Sequence, residues 1–179
     1  MYATVLVLLT AAVVSASVEA EPSITIGDTQ FLLANAVPPE QPLLREYVPA
    51  GQTLDDWERL ASVRIFKDLK DPRAYLDKLG NQVVHSHPAA RAQLLQSDDR
   101  KGYVLDFMMF PPDSTRPFYA EWSLARAAYV EGKGLVVYQY SVRIYKVGPE
   151  TGPIVQAERV KMLKPFEAAT FEEKEIQTQ

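Results

Sequence analysis

The stretch that decides the fold covers residues 135–146 and reads LVVYQYSVRIYK. Every second residue from Val136 to Ile144 is apolar or aromatic, whereas Gln139, Ser141 and Arg143 occupy positions between them. Because successive side chains of a strand point to opposite faces, this alternation predicts one buried face and one wetter face. We therefore expect residues 135–146 to form a central strand of an antiparallel sheet.

The residues before this stretch predict the rest of a β-meander. Residues 118–130 can pair with it across a turn that contains two glycines, and residues 90–96 can pair with residues 103–110 across a polar loop. Shorter extended runs are predicted at 23–26, 30–37, 43–48 and 61–66.

Up to three helices are expected to pack against this sheet. Thr53 can cap a short helix over residues 54–60. Asp71 and Pro72 together form a strong start signal for a second helix, which should stop near residue 85 because Pro88 follows.

Thr151 can cap a third helix that begins at Pro153 and breaks at Pro165. Its inner face would consist of Ile154, Ala157 and Val160, or alternatively of Met162 and Leu163. The predicted fold class is therefore α+β: an antiparallel β-sheet, with a meander of long strands in the C-terminal half, packed by two or three helices.

The first twenty residues are typical of a cleavable signal peptide. Residues 4–18 are almost wholly apolar and uncharged, and Val18-Glu19-Ala20 fits the small-x-small cleavage pattern. An uncleaved membrane anchor is the alternative, although a spanning helix needs roughly 20 apolar residues. We predict a signal peptide over 1–20, a single domain over 21–165 and an acidic tail over 166–179, which is either loosely docked or frayed.

The amino-acid composition excludes several kinds of functional site. The chain contains no cysteine, which excludes disulfides, thiolate metal sites and cysteine nucleophiles. Loss of Glu19 with the signal leaves 19 basic and 22 acidic residues, a net charge of −3. This mild charge argues against a nucleic-acid-binding protein. The export signal favours the periplasm or the extracellular space of a bacterium.

Two stretches resemble a known group of sequences. Residues 46–57 read EYVPAGQTLDDW, and residues 134–145 contain VYQY followed by RIY. Together they resemble uncharacterised exported bacterial proteins that share an E-Y-x-P-x-G-x-T-L-x-x-W segment. The order of elements is similar to the PsbP-like α/β/α sandwich, which implies docking onto protein partners rather than chemistry. The resemblance assigns no functional residue.

Three aromatic residues, Trp57, Tyr119 and Trp122, are candidates for a binding surface. Tyrosine and tryptophan are enriched in protein interfaces, and the predicted meander is rich in aromatic residues. The alternative is that most of these rings fill the core. Trp57 would then be the hydrophobic plug of a corner between a strand and a helix.

His85 and His87 are the two histidines of the chain and form the sequence His-Ser-His-Pro. They are weak candidates for a metal site, since in an extended backbone they would project to the same side. A zinc site needs a third or fourth ligand from elsewhere. The alternative is a solvent-facing helix end and loop, where His85 suits the negative end of the helix dipole.

The sequence contains no Gly-x-Ser-x-Gly motif and no glycine-rich phosphate loop. We predict no catalytic residue and no cofactor. The favoured function is an exported, non-enzymatic binding module of the bacterial envelope that docks a protein partner. The alternatives are an exported hydrolase with a non-standard site, using His85 or His87, and a carrier of a small apolar ligand held between sheet and helix.

Overall fold

The computed structural model describes residues 22–37, 43–97, 102–110 and 118–169. Within these ranges the chain forms eight strands and two helices. In chain order they are β1 (Ser23–Ile26), β2 (Thr29–Val37), β3 (Leu43–Pro49), β4 (Arg59–Phe66), α1 (Pro72–Ser86), β5 (Arg91–Gln96), β6 (Tyr103–Met109), β7 (Ala120–Val130), β8 (Gly134–Ile144) and α2 (Thr151–Ala168).

All eight strands belong to one antiparallel sheet, in the order β1-β2-β3-β4-β8-β7-β6-β5. The chain builds one meander from β1 to β4 and a second from β5 to β8, and the pairing of β4 with β8 joins them. Tyr140 of β8 lies opposite Ala61 of β4 and Leu124 of β7. The prediction that residues 135–146 form a central strand is confirmed.

The predicted α+β class is wrong, because the fold is mostly β. About 47% of the described residues are in strands and 25% in helices. The alternation of apolar and polar residues is strongest in the long C-terminal strands. The four N-terminal strands extend the same sheet to twice the width that those strands form alone. The sequences of the N-terminal strands alternate less regularly than that of β8. Their part in the sheet is evident only from the way each strand pairs with its neighbour.

The short helix predicted over residues 54–60 does not form. The Thr53 hydroxyl accepts a hydrogen bond from the Asp56 N–H at 3.2 Å, as a cap would, but the turn ends there. The Glu58 N–H donates instead to Gln52 Oε1 at 2.8 Å, and the Glu58 carbonyl accepts from the Arg143 N–H at 2.9 Å. These contacts draw the backbone into the sheet, and β4 begins at Arg59.

The sheet curls into a trough, and its concave face holds the main core. Phe31 of β2 and Tyr140 of β8 lie three strands apart, which is roughly 14 Å in a flat sheet, yet their ring centroids are 6.2 Å apart. α2 lies in the trough and contacts both β1 and β7. The largest fully buried side chains of this core are Trp122, Tyr140, Phe31 and Phe166.

The first of the two predicted inner faces of α2 is wrong. Met162 is 2% exposed and Phe166 is fully buried, whereas Val160 is 73% exposed. The prediction that Pro165 breaks this helix is wrong as well, since α2 continues to Ala168. The burial of Phe166 one turn after Met162 holds the last turn of the helix against the sheet, and this tertiary contact offsets the cost of an internal proline.

α1 packs on the convex face of the sheet, over β5, β6 and β7. Asp71 caps it by accepting a hydrogen bond from the Ala74 N–H at 2.9 Å, and Pro72 is its first residue. The helix ends at Ser86, so its predicted bounds are confirmed. α1 covers one end of the sheet, and neither of the two described helices packs over the convex face of β3 and β8.

Several predictions lie outside the described residues. They are the signal peptide over 1–20, the loop at residues 98–101 and the tail from residue 170 onward. Among the residues that are described, neither helix is long and apolar enough to cross a membrane.

Candidate functional site

A group of polar side chains crosses the part of the convex face that neither described helix covers. Ser62 of β4, Ser123 of β7 and Ser141 of β8 are each no more than 2% exposed. Glu121 of β7 is 8% exposed and lies directly opposite Arg143 of β8. The sequence pattern predicted a wetter face for β8, but the structure buries Ser141 and half-buries Gln139 and Arg143.

Two of the three buried hydroxyl groups, those of Ser123 and Ser141, are hydrogen-bonded to each other and to Gln139. Ser123 Oγ and Ser141 Oγ are 2.8 Å apart, and Gln139 Nε2 donates to Ser141 Oγ at 2.9 Å. Satisfied buried polar groups of this kind hold their side chains in one arrangement. The side chains of Ser123, Gln139 and Ser141 are therefore held in place before any ligand binds.

These residues line a pocket of about 380 Å³. Its volume lies within the range of about 300–1,000 Å³ that is usual for ligand sites. The pocket is polar for most of its lining, with an apolar rim on one side. The lining residues are Glu46, Leu54, Trp57, Leu60, Ser62, Arg64, Glu121, Gln139, Ser141 and Arg143.

The guanidinium group of Arg143 is clamped between two aromatic rings. Its Cζ atom lies 3.7 Å from the ring centroid of Trp57 and 4.6 Å from that of Tyr119. Tyr145 packs edge-on against Tyr119 at 6.0 Å, and its hydroxyl donates to the Trp57 carbonyl at 3.0 Å. Contact with two rings restricts the orientation of the guanidinium, whose N–H donors lie along its edge.

Arg143 and Glu121 form a loose ion pair at the bottom of the pocket. Arg143 Nε is 3.9 Å from Glu121 Oε2, which is beyond hydrogen-bond distance. Nε is buried and has no hydrogen-bond partner among the described residues. A buried donor without an acceptor is unfavourable, so the Nε–H group would donate a hydrogen bond to a ligand oxygen atom that took the place of Glu121 beside it.

Burial raises the pKa of the Glu121 carboxyl above its ordinary value of 4.5, and the charge of Arg143 opposes the shift. Hydrogen bonds from Ser141 and Ser123 and the charge of Arg64 act in the same direction as Arg143. Arg64 lies on the opposite side of the pocket, beside Tyr75 of α1, whose own pKa is raised by burial. Glu121 is thus a carboxyl group that accepts a proton more readily than an exposed one.

The corner formed by residues 46–57 supplies one wall of the pocket. Gly51 has a φ of +84° and lies in the turn after β3, where the Gln52 N–H donates to the Pro49 carbonyl at 3.1 Å. The turn reverses the chain, so that Trp57 covers Arg143. Glu46 lines the pocket from β3, and its carboxylate accepts a hydrogen bond from Asn35 Nδ2 at 3.0 Å. The two stretches that resemble exported bacterial proteins therefore meet at this site.

A protein-family model matches residues 18–174. The chain belongs to this family. The family is an uncharacterised one, and membership therefore brings no activity with it. No curated protein and no solved structure matches the chain.

The structure brings two of the three predicted aromatic residues together. Trp57 and Tyr119 both pack against the guanidinium group of Arg143. Trp122 is fully buried on the concave face, where its Nε1–H donates to Asp106 Oδ1 at 2.8 Å, so it contributes to the core instead.

Arg143 and Glu121, the ion pair of the site, are not among the residues that the sequence predicts for a binding surface. The alternation in β8 predicts only a hydrated face for Arg143. The signal that could have identified them is a pair of opposite charges at facing positions of two strands whose other residues are mostly apolar.

His85 and His87 lie at the C-terminal end of α1 and are not among the residues that line the pocket. His85 is exposed in the last turn, and the backbone N–H of His87 donates to the Val83 carbonyl at 3.0 Å. No group of three or more histidine, aspartate or glutamate side chains in the described part of the chain is arranged to hold a metal ion.

A second pocket, of about 460 Å³, lies at the C-terminal end of α2. Arg126, one of the three charged residues that line it, is directed at the helix end, where it donates to the backbone carbonyls of Glu167 and Ala169. Arg126 therefore satisfies terminal carbonyl groups of α2, which is a structural role.

Proposed function

We propose that this chain is an exported, non-enzymatic binding module of the bacterial envelope, and that it docks a protein partner through the polar pocket on its convex face. The observation that carries the proposal is the clamped guanidinium of Arg143, which the fold holds at a pocket with a buried donor still unpaired. Preorganised groups of this kind favour binding, because little freedom remains to be lost when a ligand arrives.

The export part of the proposal rests on the sequence of residues 1–20. The predicted order of elements is similar to that of the PsbP-like α/β/α sandwich, a fold used mostly for docking onto partners, and this similarity agrees with a docking role. The two resembling stretches supply Glu46 and Trp57 from one side and Gln139 and Arg143 from the other.

The two alternative functions have less support from the geometry. A carrier of apolar ligands needs space between the sheet and a helix, and Phe31, Trp122, Tyr140 and Phe166 fill that space under α2. A hydrolase would need a base beside its nucleophile. Ser141 of the pocket instead bonds to Ser123 and to Gln139.

The test is a capture experiment with two matched variants. The protein without residues 1–20 is crosslinked in envelope extract as wild type, as Arg143→Gln and as Arg91→Gln. Arg91 is an exposed arginine of β5 that bonds only to nearby backbone carbonyls in the described residues. The recovered partner is then purified, and its affinity for each form is measured.

We expect the wild type and Arg91→Gln to bind the partner equally, and Arg143→Gln to bind it at least about tenfold more weakly. Equal recovery by all three forms, or no partner at all, would refute the proposal. The same preparations are assayed with ester, peptide, glycoside and phosphate substrates. Hydrolysis that disappears in the double variant His85→Ala, His87→Ala would establish the hydrolase alternative.

A further inference from the structure

The edge of Arg143 is suited to a ligand group with two coplanar oxygen atoms. A guanidinium presents its N–H donors as a planar fork, and carboxylates match this fork with two parallel hydrogen bonds. Trp57 and Tyr119 both contact the guanidinium, with ring centroids 3.7 and 4.6 Å from Cζ. The side chain is thereby fixed in orientation, so the geometry of the fork selects the shape of the ligand as well as its charge.

The charges that line the pocket set the charge of the ligand. Two guanidinium groups, those of Arg64 and Arg143, face two carboxyl groups, those of Glu46 and Glu121. A cation would approach two arginines, and a doubly charged phosphate would approach two carboxyl groups. The four charges sum to zero, so the pocket matches a singly charged anion when one of its two carboxyl groups is protonated.

Such an anion can replace Glu121 as the partner of Arg143. Glu121 faces Arg143 of β8, Arg64 of β4 and the hydroxyl groups of Ser123 and Ser141. Its carboxyl group does not complete a hydrogen bond to Arg143 Nε, and burial already favours its protonated form. When a second carboxylate arrives at the guanidinium, uptake of a proton by Glu121 removes the repulsion between the two.

We infer that the pocket recognises a carboxylate group of the docked partner through the edge of the Arg143 guanidinium, with Glu121 as the group that this carboxylate displaces. The inference rests on the proposed docking function, and it narrows the partner to one that presents an acidic side chain or a free carboxy terminus. Arg143 is the binding residue, and Trp57 and Tyr119 are the residues that position it.

The experiment uses short peptides as probes. N-acetyl-Ala-Glu-Ala-amide presents a side-chain carboxylate, N-acetyl-Ala-Ala-Ala presents a terminal carboxylate, and N-acetyl-Ala-Gln-Ala-amide is the neutral control. Inorganic phosphate is the fourth probe. Binding is followed by the NMR signal of the Arg143 Nε–H group, which is assigned by its absence in Arg143→Lys, and by the tryptophan fluorescence, to which Trp57 contributes from the pocket.

We expect one of the two carboxylate peptides to shift the Arg143 Nε–H signal, with an affinity at least about tenfold higher than those of the glutamine peptide and phosphate. The stronger of the two identifies the source of the carboxylate. Arg143→Gln should abolish the binding and Arg91→Gln should leave it unchanged. Glu121→Gln should strengthen it, because the competing carboxyl group is gone. Thermal denaturation of each variant checks that it is folded.

The outcomes separate this inference from the docking proposal. If the partner needs Arg143 but the glutamine peptide or phosphate binds as well as the carboxylates, the carboxylate inference is overturned and docking stands. If the carboxylate peptides bind at Arg143 and no partner does, the docking proposal fails and the inference stands. Weaker binding by folded Glu121→Gln would overturn the role given to Glu121.

Discussion

At the scale of single residues, β8 carries neighbouring side chains with opposite roles. Tyr140 is fully buried on the concave face and packs edge-on against Phe31 and Trp122. Gln139 is half-buried on the convex face. Tyr140→Ala should lower the free energy of unfolding by about 3–5 kcal/mol, whereas Gln139→Ala should lower it by about 1 kcal/mol or less. Denaturant unfolding of both variants tests the assignment of faces, and equal losses would contradict it.

The raised pKa of Glu121 should make the stability of the protein depend on pH. Because its pKa is raised in the folded state, the folded protein holds this proton more tightly than the unfolded chain does. Its favourable contribution is fully present below the ordinary value of 4.5 and is lost as the pH rises through the folded-state pKa.

Glu121→Gln cannot lose a proton at this position. The difference in melting temperature, wild type minus variant, should therefore fall as the pH is raised from 4 to 8. Melting curves across this range provide the measurement. A difference that stays constant or increases with pH would show that ionised Glu121 is stabilised, not destabilised, by its surroundings.

At the scale of elements, the turn between β7 and β8 depends on Gly134. Its φ is +94°, and a Cβ atom added there would lie 2.4 Å from the Phe66 carbonyl oxygen of β4. Gly132 in the same turn has a φ of +79° but nothing within 4 Å of its Cβ position. Both alanine variants strain the backbone by roughly 1–2 kcal/mol.

Only Gly134→Ala adds a clash with neighbouring backbone, so it should be the less stable of the two by about 1–3 kcal/mol. The difference between the melting temperatures of the two variants measures the effect of the clash, because the backbone strain is common to both. If the two variants melt together, the close approach of β8 to the end of β4 is not as tight as described.

At the scale of the whole molecule, α2 closes the concave trough of the sheet. Met162 points into the trough and Val160 points to solvent on the same helix. Met162→Asp should cost about 3–5 kcal/mol, because it buries a charge without a partner. Val160→Asp should change stability by no more than about 0.5 kcal/mol. Denaturant unfolding of both variants measures this, and a larger loss for Val160→Asp would mean that α2 faces the other way.

The pocket on the other side of the sheet is also a product of the whole molecule. Its residues come from β3, β4, β7 and β8 and from the corner at residues 50–58. β3 and β8 are about ninety positions apart in the chain, and β4 lies between them in the sheet. The candidate site therefore exists only once the two meanders have paired.

Much of the secondary structure could be predicted from the sequence alone. The strict alternation in residues 135–146 identifies a long strand, and Asp71 with Pro72 marks the start of α1, because these signals act over a few residues. The same local rules fail at Thr53, where contacts from Gln52 and Arg143 replace a helix by a turn, and at Pro165, where the burial of Phe166 preserves one.

The sequence by itself determined which residues of β8 share a face, the bounds of α1 and the lack of any cysteine chemistry. Only the tertiary structure decided that the fold is mostly β, which face of α2 is buried, and that Trp57 and Tyr119 meet at Arg143 while Trp122 enters the core. The physical reason is that periodicity is a local property of the chain. The pairing of β4 with β8 and the curl of the sheet depend instead on contacts between residues that are distant in sequence.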